Sequence, residues 1–302
     1  MAIIVSEQTH YLIQGMTGKE GQRTLKWMQS AGSSVLAGVT PGKGGQDIDG
    51  VPVFDSVSQA LTQFPQINAS CLYVPPKFVL SAAKEAIAAG VPLVHIFAEG
   101  VPSADTAVIL ELAYTAGVRV VGPSSIGILS PSKSAAGSVG GGDYGSFLAP
   151  DERGGVVVLS KSGGMVKTIA NMLTRSNIPQ STIMGIGGDR LEGTTFADVL
   201  PNIAADDETK AVVVIGEFGG SYEEDLAAAI AELKFTKPVV AFISGLFAET
   251  LPQGISFGHA GAIVSRTVGT RQGKITALEA AGALVAQTPT DIPVILKEQL
   301  GW

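Results

Sequence analysis

The chain has 302 residues, of which 45% are hydrophobic, 16% are charged and 38 are glycines. This length suffices for two α/β domains, and low charge with abundant glycine favours buried parallel strands joined by tight turns. The net charge of −7 argues against a nucleic-acid binder, because neutralising phosphates requires clustered Lys and Arg. The sequence contains no run of about 18 apolar residues and no amino-terminal signal pattern, which predicts a cytoplasmic protein that does not enter a membrane.

The first half of the chain alternates short apolar runs with helical stretches, which is the pattern of βαβ units. The predicted strands are Tyr11–Gln14, Ser34–Val39, Ala69–Val74, Leu93–Phe97 and Arg119–Val121. The predicted helices between them are Gly21–Ala31, Ser81–Ala89 and Asp105–Ala116. This alternation predicts a doubly wound domain over residues 1–130.

The second half of the chain repeats the alternation after a stretch rich in Ser, Gly and Pro, which predicts a connecting loop over residues 131–154. The predicted strands that follow are Val156–Leu159, Thr182–Ile186, Ala211–Ile215 and Val239–Ile243. Helices are expected to begin near Gly164, Tyr222 and Thr276. We therefore expect a second doubly wound domain over residues 155–302.

A glycine-rich turn follows the first predicted strand, with glycines at Gly15, Gly18 and Gly21. Glycines there let the backbone approach a phosphate at a helix N-terminus, although a tight turn that binds nothing has the same spacing. An NAD site would place an acidic residue after the second strand. The chain instead has Lys43 in a glycine-rich loop, which suits a phosphate, so CoA and NADP both remain candidates.

The histidines and the single cysteine differ in their surroundings. His10 and His95 adjoin apolar strands, and Cys71 lies inside one, so all three are predicted to be structural. His259 lies between small residues in Gly258–Ala262, which leave room for a bulky reactant. A neutral imidazole is nucleophilic near pH 7, so His259 is a candidate acceptor of a phosphoryl group.

Further candidate loops lie where apolar strands end. Glu217 follows one strand, at the edge where doubly wound sheets keep their sites, and it can orient an imidazole or remain a solvated acid. Ser160–Gly164 lies between a buried strand and a helix, which predicts a cradle for a phosphate or carboxylate. Gly185–Arg190 has a similar composition, although Asp189 and Arg190 can simply pair with each other.

Taken in order, these motifs resemble the α subunit of succinyl-CoA synthetase (succinate–CoA ligase), almost from end to end. The Gly-His-Ala-Gly-Ala and Gly-Glu-Phe-Gly-Gly motifs are the most specific. The segments that carry the resemblance are Gln14–Gly21, Gly38–Gly45, Val51–Phe54, Gly122-Pro123, Ser160–Gly163, Gly185–Asp189, Ile215–Gly220 and Gly258–Ala262. Some of them are also similar to ATP-citrate lyase and citryl-CoA synthetase. The resemblance implies an α/β fold with an N-terminal Rossmann-like CoA-binding domain and a C-terminal flavodoxin-like ligase domain.

The resemblance also implies an activity. A carboxylic acid, CoA and a nucleoside triphosphate give acyl-CoA, a nucleoside diphosphate and phosphate in a reversible reaction. His259 would carry the phosphoryl group and Glu217 would hydrogen-bond it. The residues implicated in CoA binding are Thr17, Gly18, Lys19, Glu20, Lys43, Phe97, Ala98 and Glu99.

The same resemblance implies a partner. Nucleotide binding in this family belongs to a separate β subunit with an ATP-grasp domain, so we expect a heterodimer or heterotetramer. ATP or GTP, together with Mg²⁺, would reach the site through that subunit, and this chain itself would hold no metal. The other ligand is a small carboxylic acid.

The chain departs from the family pattern in its substrate and phosphate loop, which we place at Ser160, Ser162, Gly163, Gly164 and Lys167. The family's Ser-Arg-Ser-Gly-Thr-Leu-Thr-Tyr is here Ser-Lys-Ser-Gly-Gly-Met-Val-Lys, so Lys167 replaces a tyrosine that contacts substrate. A smaller Gly164 and an added lysine suit an acid with more bulk or negative charge than succinate, such as the substrate of a citryl-CoA synthetase. Two alternatives of other classes are a non-catalytic, regulatory CoA-binding protein and an NADP-dependent oxidoreductase.

Overall fold

The computed structural model describes residues 3–139, 141–142, 144–246 and 269–302. The chain divides into two compact units. The amino-terminal unit comprises Val5–Gly145 and Leu191–Thr194, and the carboxy-terminal unit comprises Met1–Ile4, Ser146–Arg190 and Thr195–Trp302. Each unit contains a parallel sheet with helices, so the predicted α/β fold class is confirmed.

The sheet of the amino-terminal unit has seven strands. They are β1 His10–Gln14, β2 Ser34–Val39, β3 Asp47–Ile48, β4 Val51–Phe54, β5 Ala69–Leu72, β6 Leu93–Ile96 and β7 Arg119–Val121. The strand order is β3-β4-β2-β1-β5-β6-β7, and every neighbouring pair except β3–β4 is parallel. The chain runs outward on both sides from β1, so the order reverses between β1 and β5, as in a Rossmann-like sheet.

Four helices accompany this sheet in the described part of the amino-terminal unit. They are α1 Lys19–Ser30, α2 Val57–Gln63, α3 Pro76–Ala88 and α4 Ser103–Ala116. Helix α1 buries Leu25 and Met28, which lie three residues apart on one face. Helix α3 begins five residues before its predicted start at Ser81, because Pro76 occupies its first turn, where the fixed φ of proline suits a helix.

A strand occurs where the sequence predicts a connecting loop. β8 Gly127–Ser130 and β9 Ser134–Gly137 form an antiparallel hairpin in the amino-terminal unit, and every residue of both strands is buried. The Tyr11 hydroxyl lies 2.7 Å from Ser134 Oγ, and Ser33 Oγ donates to the Ala135 carbonyl at 3.0 Å. The small side chains that suggested a loop instead allow β9 to pack closely.

The sheet of the carboxy-terminal unit contains β10 Gly155–Ser160, β11 Gln180–Gly185, β12 Thr209–Gly216, β13 Val239–Ile243 and β14 Leu284–Val285. These strands follow the order β14-β13-β12-β10-β11, with parallel pairs throughout. This is the flavodoxin-like order, with the reversal at β10 and β12. Strands β10, β11 and β12 are almost wholly buried, as expected for a parallel sheet covered by helices.

The helices described in the carboxy-terminal unit are α5 Gly163–Arg175, α6 Phe196–Ala205, α7 Tyr222–Glu232, α8 Arg271–Ala280 and α9 Asp291–Leu300. Helix α8 begins before its predicted start at Thr276, because Thr270 caps it by accepting a hydrogen bond from the Gly273 N–H. Among the helices in the described ranges, none has both the length and the apolar character needed to cross a bilayer.

Candidate functional site

A cavity of about 600 Å³ opens in the amino-terminal unit where β1, β2 and β5 end. This is the carboxyl edge at which the strand order reverses, the usual ligand site of an open α/β sheet. Gly15 is at the bottom of the turn after β1, with φ +81°. An added Cβ there would lie 2.5 Å from the Tyr73 carbonyl oxygen, so the turn accepts only glycine. The cavity is lined by Gln14, Gly15, Thr17, Gly18, Val39, Thr40, Pro41, Tyr73, Val74, Pro75, Phe78, Ser81, Ala82 and Glu85.

The cavity has a polar side and an apolar side. On the polar side, the Thr17 N–H donates to Thr40 Oγ1 at 3.4 Å, and α1 begins directly after Gly18. The first N–H groups of a helix have no partner within the helix and favour an anion. On the apolar side lie Tyr73 and the half-exposed Phe78. The combination suits a ligand that carries phosphates and a flat apolar group.

The residues predicted to contact the ligand differ in their placement. Thr17 and Gly18 line the cavity, and Phe97 stacks on the lining residue Tyr73 with ring centroids 4.8 Å apart. Lys19, Lys43 and Glu99 are exposed outside the lining, Glu20 pairs with Arg23 and Ala98 is buried. Thr40, Tyr73 and Phe78 were not predicted from the sequence. The run from Tyr73 to Phe78 after β5 is a signal for two of them, once β5 is known to lie beside β1.

The carboxy-terminal unit brings Lys161 and Glu217 together. Lys161 follows β10 and Glu217 follows β12, and Ser160 pairs with Ile215 in the register of these parallel neighbours. Both side chains therefore leave the same edge of the sheet. Lys161 Nζ lies 3.0 Å from Glu217 Oε1, with the lysine side chain 2% exposed and the glutamate side chain 14% exposed. The sequence pattern predicted a role for Glu217 but none for Lys161.

The loop between β10 and α5 has the form of an anion cradle. Ser160 Oγ accepts from the Ser162 N–H and donates to the Ser162 carbonyl, both at 3.0 Å. Ser162 caps α5 by accepting from the Met165 N–H, so the helix begins at Gly163 with its N-terminus at the sheet edge. A Cβ at Gly164 would meet no atom within 4 Å, and Lys167 is exposed one turn further along α5.

Behind Glu217 lies a second ion pair, between Glu223 on α7 and Lys274 on α8, with both side chains fully buried. Glu223 Oε1 accepts from the Glu217 N–H at 3.1 Å, and Lys274 Nζ donates to the Gly219 carbonyl at 2.6 Å. Burial raises the pKa of Glu223 above the usual range of a carboxyl group, while the Lys274 ammonium opposes that rise. The pair therefore anchors the backbone of the loop that carries Glu217.

The loop with Glu217 is also bonded to Gly269. The Gly219 N–H donates to the Gly269 carbonyl at 2.6 Å, and the Gly269 N–H donates to Glu224 Oε1 at 3.1 Å. His259 lies outside the described residues, so its predicted role stays a prediction. His10 and His95 accord with structural roles, because His10 Nδ1 lies 2.9 Å from Ser34 Oγ and the buried His95 donates through Nε2 to the Ser125 carbonyl. Cys71 is buried in β5, as predicted.

Comparisons with known proteins identify both units. Residues 6–100 match the CoA binding domain family, and residues 159–284 match the CoA-ligase family. The chain is 42% identical over 300 residues to the succinate–CoA ligase [ADP-forming] subunit alpha 2 of Archaeoglobus fulgidus, covering 99% of this chain and 100% of that protein. It is 39% identical over 301 residues to the ADP-forming sulfoacetate-CoA ligase subunit SauD of Bilophila wadsworthia, covering 100% of both.

A solved structure gives the same result at the level of the fold. The ATP citrate lyase of Methanothrix soehngenii, in complex with citrate and coenzyme A, superimposes with a TM-score of 0.89 at 25% identity. The match covers 99% of this chain but only 50% of that protein's chain, so this chain spans half the length of the lyase.

The two matched domains and the full-length relatives define an enzyme class that joins carboxylic acids to CoA. This chain belongs to the α-subunit family of ADP-forming acid–CoA ligases. CoA, which was one of two candidate ligands for the first glycine-rich turn, is thereby confirmed as the ligand class of the first domain, and an NADP-dependent oxidoreductase is not supported.

Proposed function

We propose that this chain is the phosphoryl-carrying subunit of an acid–CoA ligase, with His259 as the phosphoryl acceptor and Glu217 as the group that orients it. The observation that carries the proposal is the position of Glu217. Its carboxylate is held 3.0 Å from Lys161 at the sheet edge where α5 begins. A carboxylate can fix one nitrogen of an imidazole, while a helix N-terminus favours the charge of a phosphoryl group.

The chemistry divides into three transfers. The γ-phosphoryl group passes from the nucleoside triphosphate to an imidazole nitrogen of His259, and the nucleoside diphosphate leaves. A carboxylate oxygen of the acid then attacks phosphorus, which gives an acyl phosphate and restores the neutral imidazole. The thiolate of CoA attacks the acyl carbon, the C–O bond breaks and phosphate leaves, so the acid is activated before the thioester forms.

CoA would bind along the cavity of the amino-terminal unit. Thr17 and Gly18 would contact a phosphate at the start of α1, and Lys19 and Lys43 would supply positive charge nearby. Tyr73 and Phe78 offer aromatic surface for the adenine ring. The segment Phe97–Glu99 would contribute through the stacking of Phe97 on Tyr73.

The nucleotide would come with a partner. We propose a β subunit with an ATP-grasp domain, in a heterodimer or heterotetramer, and Mg²⁺ would arrive with ATP or GTP on that subunit. Support comes from the relatives, which are designated as single subunits of ADP-forming ligases. In the described part of this chain, no group of three or more His, Cys, Asp or Glu side chains could hold a metal ion.

The acid is proposed to have more bulk or more negative charge than succinate. Gly164 leaves open space at the start of α5, and Lys167 is exposed three residues further along the same helix face. The relatives include ligases named for succinate and for sulfoacetate, and the structural neighbour was solved with citrate. These three acids form the natural test set.

The experiment is an acyl-CoA-forming assay on the chain co-expressed with its β partner. We expect product only when CoA, ATP or GTP, Mg²⁺ and an acid are all present. His259→Ala should abolish it, and Glu217→Gln should slow it by roughly 100-fold. Gly164→Ala should favour the smaller acids, and Lys167→Met should raise KM for the acid with little change in kcat.

Two outcomes would contradict the proposal. Full activity in His259→Ala would contradict a phosphohistidine intermediate. A higher rate with succinate than with every larger or more anionic acid would refute the proposed class of substrate. The alternative of a non-catalytic CoA-binding protein would be favoured by tight CoA binding without acyl-CoA formation from any acid, in a complex that is correctly assembled.

A further inference from the structure

The proposed chemistry assigns no role to the cationic side chain of Lys161. Its side chain is 2% exposed, and its Nζ lies 3.0 Å from Glu217 Oε1 and 5.1 Å from the centre of the Tyr222 ring. A buried ammonium needs compensation by an opposite charge or a polarisable neighbour, and here it has both. The contacts place the ammonium against the carboxylate rather than in solvent.

The backbone alone does not fix the carboxylate of Glu217. The loop after β12 contains Gly219 and Gly220, and glycines allow many backbone conformations. The structure supplies two constraints of different kinds. Glu223 holds the main chain through the Glu217 N–H, whereas Lys161 contacts the carboxylate itself.

The two buried lysines contact different groups of this loop. Lys274 contacts Glu223 and the Gly219 carbonyl, so it stabilises the loop backbone. Lys161 directly precedes Ser162, which caps α5, and its side chain extends to the end of the neighbouring strand β12. It thus connects the anion cradle to the acidic loop.

We propose that Lys161 is a positioning residue that holds the Glu217 carboxylate in one orientation for its partner. This inference rests on the role assigned to Glu217 under the proposed function. Lys161 acts through Glu217 and makes no contact with substrate. A cation that instead bound the phosphoryl group directly would act independently of Glu217, and a purely structural cation would affect stability alone.

A double-mutant cycle tests the inference on the assembled complex. The variants are Lys161→Met, Glu217→Gln, the double variant and the charge-conserving Lys161→Arg. Lys210→Met, which removes an exposed lysine of β12, serves as the control. The readouts are the rate of phosphoryl incorporation from γ-labelled ATP or GTP, kcat and KM for CoA, and the thermal midpoint of each variant.

We expect Lys161→Met to lower the incorporation rate and kcat by roughly 10- to 100-fold, with KM for CoA unchanged. Lys161→Arg should recover most of the rate, which also keeps the test valid if Lys161→Met folds poorly. The double variant should be no slower than Glu217→Gln alone, because a residue that acts through Glu217 has no further effect once that carboxylate is gone.

If the rate of the double variant falls by the product of the losses in the two single variants, the inference is overturned while the proposed function stays intact. A Lys161→Arg variant as slow as Lys161→Met, or a loss confined to the thermal midpoint, would overturn it as well. A Glu217→Gln variant with the wild-type rate would contradict the assignment of Glu217 in the proposed function, and the inference would fall with it.

Discussion

Glu223 and Lys274 form an ion pair in which neither side chain is exposed to solvent. The pair joins α7 to α8, and both partners also bond to the backbone of the loop that carries Glu217. Burying two charges is unfavourable by itself, so such a pair is stable only when both members keep their partners. Its position behind Glu217 links the stability of this unit to the geometry of its candidate site.

Removing one member of the pair should destabilise the protein strongly. Lys274→Met leaves the Glu223 carboxylate buried without a cation, and we expect the free energy of unfolding to fall by about 3–5 kcal/mol. Denaturant titration measures this change. Lys297→Met, which removes an exposed lysine on α9, is the matched control and should change stability by less than about 0.5 kcal/mol. Equal denaturation midpoints for the two variants would contradict a stabilising role of the Glu223–Lys274 pair.

The buried His95 should make stability depend on pH. Burial lowers the pKa of His95 from 6.5 to about 4, while its Nε2–H donates to the Ser125 carbonyl. Between these values the unfolded chain binds a proton that the folded chain does not, so stability falls as the pH falls from 6.5 towards 4. The loss attributable to His95 should reach about 3 kcal/mol.

Comparing wild type with His95→Gln isolates this effect from that of the carboxyl groups, which titrate in a neighbouring range of pH. Urea unfolding midpoints measured from pH 7 to pH 4.5 should decline less steeply for the variant, although its stability at pH 7 is lower. Parallel declines for the two proteins would show that the pKa of His95 is the same in the folded and unfolded chains.

Gly15 should be necessary for CoA binding. Gly15→Ala places a Cβ 2.5 Å from the Tyr73 carbonyl oxygen and imposes a positive φ on a residue with a side chain. We expect the Kd for CoA to rise roughly tenfold or more, because the turn at the base of the cavity must shift. Gly145→Ala in the same unit meets no atom within 4 Å and should bind CoA like wild type in calorimetry. An unchanged Kd for CoA in Gly15→Ala would show that this turn is not part of the CoA site.

The elements of the fold were largely predictable from local sequence. β2, β7 and β13 have the predicted bounds, because apolar runs between turn residues identify buried strands. The starts of α3 and α8 were placed about five residues late, since their first residues are Pro76 and Arg271, which do not extend the apolar pattern of the helix. Strand β9 was missed because its Ser, Ala and Gly residues resemble a loop until tertiary packing buries them.

The candidate site was predictable only in part. Glu217 stood out because it follows a buried strand within a glycine-rich motif. Its contact with Lys161 depends on β10 and β12 being neighbours, and Tyr73 depends on β5 lying beside β1. Such pairings join residues far apart in the chain, and local periodicity carries no information about them. The burial of Glu223 and Lys274 follows from the packing of α7 on α8, which local sequence likewise does not specify.

Phosphorylation of His259 is the step on which the proposed mechanism depends most directly. The chain, assembled with its β partner, would be incubated with Mg²⁺ and ATP or GTP, and its intact mass measured under neutral or mildly basic conditions. We expect a gain of one phosphoryl group that acid treatment removes and that His259→Ala lacks. An unchanged mass with either nucleotide, in a correctly assembled complex, would contradict the phosphohistidine mechanism.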